Sequence, residues 1–285
     1  MLASRWVPES VDTTVPNHAR AFDFLYGGQY NFPVDREVAR RWLAAEPNLR
    51  RWAQESRAFL GRAVSSVADA GIRQIIDLGS GLPTTGATHE VVASLARDIR
   101  VCYVDYNPTV VAHAREILAR TRNVHAVLGG IGNLSRLLRL AAAVGFESNL
   151  PVAVIVSGVS PLAVNAPKIV QALESVRRAV APASRLVLSH GLPITLTSES
   201  AVETSTSPFY MPTEECDQSS LERLFGNWKL LDPGVHRIPL WQPTHQAAGL
   251  RHKCGETSQV AAWAGAAEGS ATGAGTQAAA GIPTD

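Results

Sequence analysis

From about residue 61 to 190 the chain alternates short apolar runs with stretches whose apolar residues recur at helical spacing. "RQIIDLGSG", "IRVCYVDYN", "VHAVLGG", "VAVIVSGV" and "SRLVLSHG" are each short, β-branched and closed by a turn or acidic residue, which predicts five strands. Between them "HEVVASLAR", "PTVVAHAREILAR" and "APKIVQALESVRRAV" read as helices. Pro108 opens the second, where its missing N–H has no partner to lose. Strands alternating with helices are the signature of a parallel sheet with crossover helices. Further on, "WKLLDPGV" and "QVAAWAGAA" predict two more strands at one edge. Residues 1–60 are rich in Arg, Trp and aromatics, with the turn signal "GGQYNFP" between two helical patterns. The final stretch, "GAAEGSATGAGTQAAAGIPTD", holds almost nothing large to bury and reads as disordered. The expected organisation is a helical cap over 1–60, an α/β domain over 61–264 and a Gly/Ala-rich tail over 265–285, without internal repeats.

Composition narrows the function classes. A length of 285 residues suffices for one large α/β domain with a sizeable core. The formal net charge is +1 and Lys and Arg are scattered, so there is no electrostatic footprint for nucleic acid. No run approaches the length of a membrane span, and the start, "MLASRWVPESVDTT", lacks a secretory core; a cytoplasmic location is expected. Cys102, Cys216 and Cys254 have no metal-like spacing and suggest neither a zinc site nor a disulfide framework.

The candidate chemistry begins at "IIDLGSGLPT". In an open α/β sheet the ligand sits beyond the carboxyl ends of the strands, and the first strand–helix turn touches it. Gly79 and Gly81, flanking Ser80, let the backbone approach a ligand closely. Asp105 ends the next strand, the place from which a carboxylate accepts both hydroxyls of a ribose. Together they point to an adenosine-containing ligand. A dinucleotide fingerprint would need Gly or Ala at Thr84 and would use helix N–H groups for pyrophosphate, one of which Pro83 removes. S-adenosylmethionine carries no phosphate and is compatible with this turn; another nucleotide or a purely structural turn are the other readings.

Several separated stretches are similar to an actinobacterial S-adenosylmethionine-dependent methyltransferase family first catalogued as a domain of unknown function. They are "TTVPNHARAFDFLYGGQYNFPVDREVA", "RAFLGRAV", "IDLGSGLPTTGATHEV", "VCYVDYNPTVVAHAREIL", "APASRLVLSH" and "LLDPGV" followed by "LWQP". The resemblance implies an α/β class I methyltransferase fold: seven mostly parallel strands, helices on both faces, a reversed final hairpin and an N-terminal helical cap. It implies S-adenosyl-L-methionine as cofactor. The chain departs from its relatives in two places. Gly130 in "LGGIGNLSRLL" stands near where an acid would meet the adenine amino group, and "SGVSPL" puts Ser160 and Pro161 where relatives carry a Leu-His-Phe-like segment.

Each candidate residue has a functional and a plainer role. Asp77 sits beneath the glycine turn and organises its N–H groups or the methionine ammonium, or is an ordinary strand-end carboxylate. Asp105 takes ribose hydroxyls or caps the following helix; Asn107 binds nearby or supplies that cap. Tyr106 lies against the adenine face or simply packs. By the resemblance, the segment with Tyr26, Gly27, Gly28, Tyr30, Asn31, Asp35 and Arg36 folds over the cofactor, its aromatic faces near the sulfonium. Otherwise Asp35 and Arg36 cap and solvate a surface helix while Tyr26 and Phe32 plug the core. Arg57 pairs with the methionine carboxylate as a planar fork or is a surface arginine. His190, at the end of the fifth strand, faces the expected pocket and is the general-base candidate; Tyr30 is the other catalytic candidate. His89 and His18 are expected on a helix surface and in a loop, and Trp228 and Trp241 in the core.

The functional expectation is a cytoplasmic methyltransferase of specialised metabolism, monomeric or homodimeric, acting on a small molecule without nucleic-acid or membrane partners. The alternative is a non-catalytic S-adenosylmethionine-binding sensor or scaffold, motivated by Gly130 and Pro161. A nucleotide-binding oxidoreductase is disfavoured by Pro83.

Overall fold

The computed structural model describes residues 7–8, 11–95, 98–130, 132, 134–159, 167–190, 217–241 and 263–269. Three helices come first: α1 (His18–Tyr26), α2 (Pro33–Ala45) and α3 (Leu49–Asp69). The alternating region follows as β1 (Gln74–Leu78), α4 (Thr88–Leu95), β2 (Arg100–Asp105), α5 (Pro108–Leu118), β3 (Val124–Leu128), α6 (Leu134–Ala143), β4 (Ala153–Val159), α7 (Pro167–Ala179) and β5 (Arg185–His190). The chain closes with α8 (Gln218–Phe225), β6 (Lys229–Leu230), β7 (His236–Arg237) and β8 (Trp263–Glu268). The sheet order is β3-β2-β1-β4-β5-β8-β6, with β7 also on β8; β1 to β5 are parallel and β8 runs antiparallel to β5.

The five parallel strands read as continuous apolar runs because helices cover both faces. Their pleat separates two cores. Ile75, Val101, Tyr103, Ala153, Ile155 and Val187 pack beneath the N-terminal helices with Trp52, Phe59 and Trp241. Ile76, Cys102, Val104, Val154, Leu186 and Leu188 pack beneath α6, α7 and α8 with Leu173, Phe225 and Trp228. Cys102, Trp228 and Trp241 are thus core residues, as expected.

Among the described residues the sheet has eight strands, where seven were expected. Pro233 has no N–H to give a ladder, and Gly234, at φ +82°, closes a turn on Leu231 O at 2.7 Å. The strand predicted in "WKLLDPGV" therefore forms only at Lys229 and Leu230, which pair with Glu268 and Ala267 of β8; a second short strand, His236 and Arg237, begins beyond the predicted run and pairs with Ala264 and Trp263.

Two expected boundaries differ from the observed elements. Residue 60/61 falls inside α3, whose apolar face continues unbroken from Leu49 through Phe59 and Leu60 to Val67 and Ala68. β8 continues to Glu268, past 264, because Ala and Gly side chains suit a strand paired on both sides; Val235 and Phe225 leave Gly265 no room for a Cβ without shifting. The rest of the expected tail lies outside the described residues. His18 begins α1 instead of lying in a loop, because Asn17 caps the helix through Ala19 N at 2.9 Å.

Candidate active site

The glycine turn hangs between β1 and β2. Gly79 N donates to Val104 O at 2.8 Å, and Gly79 and Gly81 take φ values of +67° and +61° that only glycine adopts without strain. A Cβ on Gly79 would project into open space, whereas one on Gly81 would lie 3.6 Å from Ala19 Cβ of α1. Gly81 N donates to Asp105 Oδ2 at 3.1 Å, and Asn107 N donates to Asp105 Oδ1 at 2.9 Å. The carboxylate of Asp105 is thereby clasped from both sides with lone pairs to spare. Burial raises its pKa, opposed by the backbone N–H groups of Asn107, Gly81 and Tyr106. The helix cap is Asn107, whose Oδ1 accepts from Thr109 N at 2.9 Å, so Asp105 is not spent on capping. Tyr106 is 81% exposed, which removes its packing role and leaves its ring face open; Gly130, also exposed, lies beside its Cβ.

After the turn the chain runs through residues 79–87 before α4 begins at Thr88, so no helix N-terminus directly follows β1 to hold a pyrophosphate. Thr88 has another task. Its Oγ1 donates to Asp77 Oδ2 at 2.8 Å. Asp77 is 4% exposed, and burial pushes its pKa up to about 6; the Thr88 hydroxyl and the Arg57 charge oppose this, and Asp105 adds to it. Asp77 lies on the same face of the sheet as Ile75, beneath the N-terminal helices.

Arg57 projects from α3 toward this acid. Its guanidinium lies 4.2 Å from the centroid of Tyr26, and Nη2 donates to Leu82 O at 3.3 Å, while Nε is buried without a hydrogen-bond partner among the described residues. It is therefore no surface arginine. His89 is tied to Tyr103, whose hydroxyl lies 2.9 Å from both Nδ1 and the backbone N of His89; burial lowers the histidine pKa.

The loop joining α1 and α2 is organised by buried acids. Asp23 Oδ2 accepts from Tyr30 N at 2.7 Å and Asn31 Nδ2 at 2.8 Å, and a Cβ on Gly28 would collide with the same carboxylate. Asn31 spends its amide on the loop itself, donating also to Gly28 O and accepting from Arg36 Nη1 at 3.0 Å, so the side chain expected to bind cofactor holds the loop in shape. Tyr30 is half-buried on that loop. Asp35 is fully buried rather than solvating a helix: it accepts from Asn17 N, Phe32 N and Arg20 Nε at 2.7 to 2.8 Å.

At the far ends of β4 and β5 the pleat separates the candidates. His190 follows Leu186 and Leu188 onto the face covered by α6 to α8 and is fully buried, so it is not brought together with Asp77. Ser157 and Ser189 instead follow Ile155 and Val187 onto the Asp77 face, their hydroxyls 3.0 Å apart, with Gly158 N donating to Ser189 Oγ at 3.1 Å. These serines, Thr88, and the Arg20–His113 contact at 3.2 Å were not singled out from sequence. Only strand parity, counted from Asp77, carries a signal for the serines. Ser160 and Pro161 lie outside the described residues. Among the described residues no group of three or more metal-binding side chains occurs, and no helix is long and apolar enough to cross a membrane.

Five parallel strands, a reversed last strand, a glycine turn after β1 and an acid at the end of β2 together define the class I methyltransferase fold. The chain belongs to the S-adenosyl methyltransferase family, whose sequence profile matches residues 4–269, and S-adenosylmethionine is its cofactor. A crystal structure from Thermobifida fusca YX, named as a candidate methyltransferase, is 30% identical, covers 94% of this chain and 100% of its own, and superposes with a TM-score of 0.73. A DUF574 family protein from Streptomyces avermitilis MA-4680 shares the fold at 24% identity, over 90% of this chain and 98% of its own, with a TM-score of 0.70. Among curated proteins none matches the chain.

Proposed function

We propose that this methyltransferase acts on a small-molecule acceptor, in the cytoplasm and in specialised metabolism. The observation that carries the small-molecule reading is the seat of α1: a Cβ added at Gly81 would meet Ala19 at 3.6 Å and Tyr26 stacks on Arg57, so the cap lies over the glycine turn. A formal net charge of +1 with scattered Lys and Arg also gives a nucleic-acid acceptor little electrostatic support.

The residues at the turn fit the cofactor. Arg57, cationic and with a buried orphan Nε, suits the methionine carboxylate, and Asp77 suits the ammonium. Asp105 accepts ribose hydroxyls while Gly81 and Asn107 fix its orientation. Tyr106 offers its exposed ring to the adenine face, with Gly130 beside it. Bound, S-adenosylmethionine supplies an electrophilic methyl group on a sulfonium. The protein's part is to hold an acceptor in line with it and exclude water. Tyr30 contributes an aromatic face from the cap. The Ser157–Ser189 hydroxyl pair presents a polar floor on the cap side, whereas His190, buried on the opposite face, is not used as the general base.

Calorimetric titration with S-adenosylmethionine and S-adenosylhomocysteine, followed by an acceptor screen, tests the reading. Micromolar binding (~8 kcal/mol) that weakens about tenfold or more in Asp105→Ala, with methylated product from a low-molecular-weight acceptor, is expected. Cofactor binding without turnover across broad panels would favour the sensor or scaffold reading instead.

A further inference from the structure

We infer that Arg20 and His113 form a positioning pair that locks the cap to the cofactor site, so that cofactor affinity depends on a contact remote from the cofactor. This rests on the assignment of Asp105 to the cofactor ribose.

The pair spans 93 residues of sequence and is fully buried. Arg20 is salt-bridged to Asp35 at 2.8 Å, donates Nη2 to Val15 O, and lies 5.1 Å from the centroid of Phe32. Its remaining nitrogen, Nη1, points to His113 Nε2 at 3.2 Å. Arginine has no acceptor, so the imidazole accepts at Nε2 and is neutral. Arg20 and Asp35 are already satisfied within the cap by Val15, Asn17 and Phe32. Among the described hydrogen bonds of Arg20, the one to His113 leaves the cap.

His113 stands on α5, and α5 begins at the ribose acid. Asp105 Oδ1 holds Asn107 N, and Asn107 caps the helix that carries His113. The other arm of Asp105 holds Gly81 N, and Gly81 faces Ala19, the residue before Arg20, across a gap that an added Cβ would fill. A closed ring results: Asp105, Gly81, Ala19, Arg20, His113, α5, Asn107 and back to Asp105. Opening it at Arg20–His113 frees α1 to move off the glycine turn and releases one constraint on the Asp105 carboxylate. The ion pair itself stays intact, so the effect falls on positioning.

The test uses the full chain, calorimetric titration with S-adenosylmethionine and with adenosine, and thermal unfolding in parallel. His113→Leu removes the acceptor, and His113→Gln restores one through Oε1. His113→Leu is expected to weaken both ligands by about tenfold, and His113→Gln to lie within about twofold of wild type. A folded His113→Leu with wild-type affinity, or His113→Leu and His113→Gln equally weak, overturns the inference. Should His113→Leu not fold, Arg20→Lys decides: it keeps the charge beside Asp35 but not the fork, and unchanged affinity overturns the inference. Failure of the wild type to bind would instead strike the cofactor assignment, which separates the two.

Discussion

Asp77, proposed above to meet the cofactor ammonium, would set residue-scale energetics against stability. Its folded carboxyl holds a proton up to about 6, whereas the unfolded chain releases it near 3.8. Folding therefore takes up a proton between those values, and stability declines as pH rises through that window and stays lowered above it. Asp77→Asn is expected to gain about 1–3 kcal/mol at pH 8 by thermal or urea unfolding while losing cofactor affinity. A cofactor ammonium next to Asp77 favours the ionised form, so wild-type binding at pH 6 should release about half a proton, read by calorimetry in buffers of different ionisation enthalpy. Arg57 makes a complementary prediction. Arg57→Met should weaken S-adenosylmethionine by about tenfold or more yet leave adenosine nearly unaffected, because only the former carries a carboxylate.

At the scale of elements, α1 depends on His18 and on the loop that follows it. His18 packs 4.9 Å from Phe22 and 5.0 Å from Trp42, ring centroid to centroid, and burial pulls its pKa down to about 4 from 6.5. The stability this neutral ring contributes is full above pH 6.5 and is lost as pH falls toward 4. His18→Phe should keep the ring packing and spare the protein about 1–3 kcal/mol of that acid loss, seen by comparing unfolding at pH 7 and 5. Gly28→Ala acts differently. Its Cβ would collide with the carboxylate that holds Tyr30 and Asn31, so a lower Tm and a weakened cofactor site are expected together.

For the molecule as a whole, the alternating middle of the chain was readable because each parallel strand, buried on both faces, writes itself as a short apolar run. Asp105 and the glycines were readable for the same reason: they end such runs. Long-range polar pairing left no trace in spacing, so Arg20–His113 and Asp77–Thr88 emerged only in three dimensions. His190 was placed on the right strand end; which way it faces depended on parity, as did the emergence of Ser157 and Ser189 on the other face. The cap was legible as helices but not as a structure continuous with the sheet, because the apolar stripe of α3 serves both at once.

That continuity bears on how ligand leaves. α3 is a single rod of 21 residues, about 30 Å long, pinned at its sheet end by Arg62 to Trp241 O and Ile238 O. A rod without a hinge does not swing, so Arg57 stays in place while α1, held at separate points, is the element that can peel away. Cofactor exchange is therefore expected to proceed through local opening of the nine residues of α1, His18–Tyr26. Hydrogen exchange followed by mass spectrometry should show saturating S-adenosylhomocysteine slowing amide exchange in α1 strongly and in α3 little, and the amide opening rate of α1 setting the ceiling on ligand dissociation.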